Sequence, residues 1–167
     1  LHKVLGYAVS VSLAEAKAFS NWYNKKHKVS TRIPTEKEWL QAVEMDSPQL
    51  PPIYQRLYQS DIGKLRRLEP MPIQQNSELE NKYGVSHLVG NGWELTSSLF
   101  KPLNTSTHTF QPDNYYPNYS QDFFDGDHYV LKGASWATPV RMVRPSFRNF
   151  YQDLYRYAFT QFRLVSS

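Results

Sequence analysis

The chain has 167 residues, 40% hydrophobic and 20% charged, an ordinary composition for one globular domain, and its formal net charge of +4 is too small to argue alone for a polyanionic partner. It contains no cysteine, which excludes disulfides, thiolate metal sites and a cysteine nucleophile together. No apolar run approaches the ~20 residues needed to cross a bilayer, and the opening LHKVLGYAVSVS has neither an initiator Met nor a signal-peptide h-region, so the expectation is a soluble, cytoplasmic protein and a piece cut from a longer polypeptide.

The alternation in YAVSVS predicts a short strand from Tyr7 to Val11. Ser12 followed three residues later by Glu15 forms a capping box, and the pairs Ala18/Trp22 and Phe19/Tyr23 recur at i,i+4, so an amphipathic helix should run to the basic KKHK with its rings facing a core. RIPTEKEWLQAVEM repeats the pattern, with Thr35 as cap, Glu38 completing the box, and Trp39, Ala42 and Val43 as the apolar stripe. From Asp46 to Asn81 the chain carries five of its eleven prolines, which predicts an extended surface excursion with at most a short helix in IYQRLYQSDIGKLRRLEP.

YGVSHLVGNGWELTSSLF reads as a turn, a glycine-flanked loop and a strand beginning near Trp93. The stretch KPLNTSTHTFQPDNYYPNYSQDFFDGDH is too rich in rings for ordinary disorder and is expected to be a long ordered loop. A strand from Tyr129 to Lys132 and a closing strand from Phe159 to Val165 follow. Two early helices, short late strands and much irregular backbone make an α+β domain.

Few familiar catalytic patterns are present. The five histidines, His2, His27, His87, His108 and His128, are scattered, with no H-x-x-x-H or H-E-x-x-H pair to place two imidazoles on one helical face around a metal. There is no G-x-S-x-G elbow, no G-x-G-x-x-G and no P-loop. Asp122, Asp125 and Asp127 surround Gly126, but without the other ligands of a calcium loop they predict a solvated hairpin turn. In GNGWEL, Gly90 and Gly92 can turn carbonyls inward and Glu94 adds a carboxylate, a partial oxygen cage for Ca²⁺, with a bare turn as the alternative.

The last part of the chain, LKGASWATPVRMVRPSFRNFYQDLYRYAFTQFRLV, alternates arginines and rings. Nucleic-acid binding is disfavoured, because neighbouring rings in SFRNF point to opposite sides and break up a single basic face. Two readings stay open. The arginines form a lattice on rings and carbonyls, or Asn149 donates an amide and Phe150 a π-face to a carboxylate or quaternary ammonium ligand.

Five segments, VSLAEAKAFSNWYNKK, RIPTEKEWLQAV, YGVSHLVGNGWELTSSLF, VLKGASWATPVRMVRPSFRNF and FRLV, stand in the order of one family. They resemble the formylglycine-generating enzyme or sulfatase-modifying-factor domain, with V-S-W-x-E-A, R-L-P-T-E-A-E-W, G-N-V-W-E-W-T, R-G-G-S-W and G-F-R. The resemblance implies a C-type-lectin-like variant fold over a single domain, residues 1–167, lacking its N-terminal part. True formylglycine-generating enzymes use a cysteine pair to hold copper, and this chain has no cysteine, which excludes that activity.

GASWATP, RPSFRNF and YPNYSQDFF look more closely like the C-terminal domain of ergothioneine-biosynthesis sulfoxide synthases. That resemblance implies an iron(II) ion carried by a separate N-terminal helical-bundle domain through H-x-x-x-H-x-E, and a pocket here for a histidine betaine and a thiol. It implies substrate-binding roles for Asn149, Phe150 and the neighbouring Arg148, and a role in the oxygen chemistry for Tyr116. Tyr151 and Tyr155 stand where relatives place the Asp and Arg that hold the thiol. The family's calcium site would map to Gly90, Gly92 and Glu94, with His87 where relatives have Asn or Asp and Gln161 where they have Gly. The leading expectation is the substrate-pocket domain of a non-haem-iron sulfoxide synthase, inactive without its iron partner domain; the alternative is a non-catalytic lectin-like module that binds a ligand or a protein.

Overall fold

A computed structural model describes residues 6–44, 51–59, 69–74, 80–103 and 121–167, with Arg56 described by its backbone alone. Helix α1 spans Leu13–His27 and α2 spans Glu36–Ala42, with a two-residue strand β1, Thr31–Arg32, between them. Helix α3, Pro52–Gln59, precedes β2, Gly92–Leu99, and β3, His128–Ala134. The chain closes with β4, Asn149–Gln152, β5, Thr160–Gln161, and β6, Val165–Ser166. Among the described residues the main sheet has the order β4-β3-β2-β5, antiparallel except where β5 runs parallel to β2, and β1 pairs with β6 in a second, two-stranded sheet. This is the expected α+β architecture with short strands and much irregular backbone.

Both capping boxes form. The Ser12 hydroxyl accepts from Glu15 N–H at 3.3 Å while Glu15 Oε2 accepts from Ser12 N–H at 2.8 Å. Thr35 and Glu38 do the same at 3.2 and 2.8 Å. Glu38 also takes both Arg32 Nη atoms at 2.5 and 2.8 Å, and this ion pair with the Thr35 N–H holds its carboxyl well down, at about 2. Lys28, at φ 55°, closes α1 in the left-handed conformation, its N–H donating to Asn24 O.

The face α1 buries differs from the expected one. Leu13, Ala16 and Ser20 face inward, while Phe19 and Trp22 stay 42% and 50% exposed. Ser20 Oγ donates to Thr31 O at 2.8 Å and Asn24 exchanges bonds with the same residue, so the helix rolls its small side toward β1. The displaced rings pack on one another, and Phe19 also meets Phe162 edge-on, 5.5 Å away.

Four further expectations change. Residues 8–12 form no strand: Tyr7 makes an isolated bridge to Pro72, and Val11 is held at both N–H and C=O by the Thr160 hydroxyl. α3 is no surface excursion, since Ile53, Tyr54 and Leu57 are buried on its inner face, with Pro52 at the first helical position, where its missing N–H costs nothing. The closing strand divides in two because Thr160–Gln161 pair with the main sheet and Val165–Ser166 cross to β1. The turn at Gly126, φ +84°, forms as an Asp125-capped bend leading into β3 rather than a tight hairpin, because β2 ends at Leu99, far upstream. Among the described residues, no helix is long and apolar enough to cross a membrane.

Candidate functional site

The middle of the sheet carries an unusual charge. Lys132 on β3 is 1% exposed, and its ammonium donates to Pro145 O at 2.8 Å and Phe147 O at 2.7 Å. Glu36, at the start of α2, lies 3.8 Å from that ammonium and takes Arg148 Nε and Nη2 at 2.9 and 3.0 Å. Burial pushes the Lys132 ammonium down to about 8, against the opposing pull of Glu36. Together these groups pin the backbone from Pro145 to Arg148 onto the sheet. On the other flank of that segment, the Tyr58 hydroxyl donates to Val143 O.

The pinned segment and β4 wall a cavity of about 480 Å³. Phe100, Phe124, Phe147, Phe150 and Tyr151 give it aromatic sides, and Arg144, Ser146, Arg148 and Asn149 supply its polar groups. Among the described residues that line it there is no carboxylate. β4 is placed by its register on β3, Leu131 opposite Asn149 and Val130 opposite Phe150. Phe150 stacks on Phe100 at 4.2 Å and 18°, and Phe100 in turn meets Phe124 at 5.0 Å.

The residues singled out from sequence fall into distinct places. Asn149, Phe150, Tyr151 and Arg148 all line the cavity. Asn149 Oδ1 accepts from the N–H of Phe150 at 3.0 Å, which leaves the Nδ2 amide without an acceptor among the described residues. Arg148 is occupied differently from its expected role: Glu36 and Lys101 O take its donors, and its guanidinium lies 4.9 Å from the Phe100 ring centroid, so it braces the wall. Tyr155 is not on the cavity wall but stacks on Tyr151 at 4.4 Å and 5°. Tyr116 lies outside the described residues, as do 104–120 of the ring-rich loop. Sequence reasoning missed Arg144, Ser146 and the Glu36–Lys132 brace; a lysine inside the apolar run YVLKGA was the available signal for the brace.

The cage imagined around Gly90, Gly92 and Glu94 does not fit calcium. Glu94 is fully buried, and its Oε1 accepts from Gln161 Nε2 at 2.6 Å and Arg163 Nη2 at 2.5 Å, its Oε2 from Arg163 Nε at 2.9 Å. Gln161 Nε2 also donates to His87 O at 2.6 Å, and Arg163 Nη2 to Ser86 O at 3.2 Å. The converging oxygens thus already face nitrogen donors, and a cation there would have to displace a guanidinium from a buried carboxylate. Gln161 fills the space over Gly92, where a Cβ would meet its side chain at 3.1 to 3.3 Å. Elsewhere, no group of three or more His, Cys, Asp or Glu among the described residues could hold a metal ion.

The sulfatase-modifying factor enzyme 1-like domain family matches residues 8–167. The chain belongs to this family. As a sulfatase-modifying-factor domain it is 38% identical over 114 residues to the ergothioneine biosynthesis protein 1 of Schizosaccharomyces pombe, covering 66% of this chain and 13% of that protein. It is 33% identical to the hercynine oxygenase of Mycobacterium tuberculosis over 93% of this chain and 35% of that protein. The domain therefore spans about a third or less of these relatives. Among solved structures, PvdO from Pseudomonas aeruginosa superposes with a TM-score of 0.58 at 18% identity, over 93% of this chain and 60% of that one. Treponema denticola variable protein 1 gives 0.53 at 21%, over 80% and 46%. At such identities these two speak for the sulfatase-modifying-factor, C-type-lectin-like fold alone.

Proposed function

We propose that this domain forms the betaine pocket of a sulfoxide synthase of the ergothioneine-biosynthesis type. The observation that carries the reading is the aromatic cavity itself, with Asn149 and Phe150 on one short strand and no carboxylate among the described residues of its wall. Rings in that arrangement suit a trimethylammonium head, whose charge is spread over methyl groups that a π-face attracts and water solvates poorly. The Nδ2 of Asn149, without an acceptor among the described residues, offers one directional hydrogen bond to orient the rest of the ligand. Relatives named hercynine oxygenase and ergothioneine biosynthesis protein 1 support the reading.

In this proposal the chain binds, orients and shields its ligand, and a thiol co-substrate approaches past the stacked Tyr151 and Tyr155. Iron(II), held by a separate N-terminal helical-bundle domain, would supply the activation of O₂ for carbon–sulfur bond formation, so the chain alone should be inactive. Tyr116 stays the candidate for assisting the oxygen chemistry. Calorimetric titration with trimethylated histidine tests the reading: micromolar to low-millimolar binding is expected, weakened at least about 10-fold in Asn149→Ala. A chain that ignores the betaine refutes it.

A second reading, a non-catalytic lectin-like binding module, draws on one observation: Tyr151 and Tyr155 are stacked on each other where relatives hold their thiol. Full-length protein that binds the betaine yet forms no sulfoxide from any thiol in the presence of iron(II) and O₂ would select it.

A further inference from the structure

Among the described polar groups of the cavity one cation is left over. Arg148 is neutralised by Glu36, whereas Arg144 has no carboxylate or carbonyl partner among the described residues. Its contact is with a ring: the guanidinium carbon lies 5.6 Å from the Phe147 centroid. A guanidinium resting on an aromatic face is held in orientation while its in-plane N–H fork stays available. The backbone beneath it is fixed from both sides, since Val143 O accepts from Tyr58 and Pro145 O accepts from the buried Lys132 ammonium. Phe147 N–H donates back to Arg144 O at 3.0 Å, closing a turn around the intervening Pro145 and Ser146.

An arginine preoriented on a rigid turn, with no carboxylate partner among the described residues and opening onto an aromatic cavity whose described lining holds no acid, is suited to receive an anion. We propose that Arg144 is the carboxylate anchor of this cavity, a specificity-determining residue that selects ligands carrying a carboxylate beside a trimethylammonium group. The assignment rests on the betaine reading above and adds to it the second half of the zwitterion. The rings take the methylated cation and Arg144 takes the carboxylate. The two recognition elements are of opposite sense, so a ligand that keeps its ammonium but has lost its carboxylate should bind without help from Arg144. Because Arg144 is exposed and carries no structural bond, its replacement leaves the fold intact.

The test compares two probes on the full chain by calorimetry: trimethylated histidine, and the same molecule without its carboxylate, trimethylated histamine. Wild type should prefer the carboxylate form by at least about 10-fold, and Arg144→Gln should weaken that form by roughly 10- to 100-fold while leaving the decarboxylated probe within about 2-fold, as loss of a charge-assisted pair requires. Equal loss for both probes, or no loss for the betaine, would overturn the anchor while the betaine pocket stands. If wild type binds neither probe, the betaine reading itself falls and takes the anchor with it. An unchanged melting temperature in Arg144→Gln separates loss of binding from loss of fold.

Discussion

Replacing Glu36 with alanine removes the carboxylate on which two buried cations depend. Arg148 and Lys132 have side chains only 12% and 2% exposed, and Glu36 is 15% exposed. Breaking a buried pair by deleting one partner typically costs about 3–5 kcal/mol, because the remaining charge stays out of water uncompensated. Here Arg148 keeps its bond to Lys101 O and Lys132 keeps two carbonyls, which places the expected loss near the lower end, at about 3 kcal/mol. With a urea m-value of about 2 kcal/mol/M that is a fall of roughly 1.5 M in the unfolding midpoint.

The same variant carries a pH signature. The Lys132 ammonium sits at about 8 in the folded protein against 10.5 for an ordinary lysine, so between those values the unfolded chain binds more protons and this group's contribution to stability rises with pH. Glu36 pulls that value upward, and removing it depresses the ammonium further. The rise should then begin at lower pH in Glu36→Ala than in wild type, and the penalty should shrink between pH 7 and 9.5. Urea titrations at both pH values measure it. A loss below about 1 kcal/mol at pH 7, or a penalty that does not change with pH, would refute the claim that the brace is electrostatic.

Tyr54 is fully buried with a hydroxyl that has no partner among the described residues, so Tyr54→Phe should leave stability unchanged or raise it by about 1 kcal/mol in chemical denaturation. Gly133 has φ +88°, and an added Cβ would lie 2.5 Å from the Leu88 carbonyl oxygen; Gly133→Ala should cost several kcal/mol, on the order of 3 or more, seen as a large fall in melting temperature. Because Gln161 and Arg163 occupy the oxygens around Glu94, millimolar calcium and EGTA should both leave the melting temperature where it is, and a calcium-dependent rise would show a site elsewhere or a rearranged one.

Much of the scaffold is readable along the chain because it is built from neighbours. Ser12 with Glu15, and Thr35 with Glu38, are three residues apart, and such a box closes whenever the helix forms. The motif order likewise carries the fold, and the short apolar runs around Trp93 and Val130 become central strands as expected. What periodicity cannot decide is which side of an amphipathic helix goes inward. Phe19 and Trp22 have the larger apolar surface, yet Leu13, Ala16 and Ser20 are the buried face of α1, with Ser20 bonded to Thr31 O across to β1.

The site divides in the same way. Asn149 and Phe150 are adjacent and are visible as a chemical pair from composition and motif. Whether their neighbour Arg148 is a ligand or a brace depends on Glu36, 112 residues earlier, and whether Glu94 can meet a cation depends on Gln161, 67 residues later. Arg144 and Arg148 are alike in the sequence, two arginines in one aromatic run; only the tertiary structure neutralises one and gives the other no carboxylate among the described residues, since charge pairing is settled by distance in space and not by order along the chain.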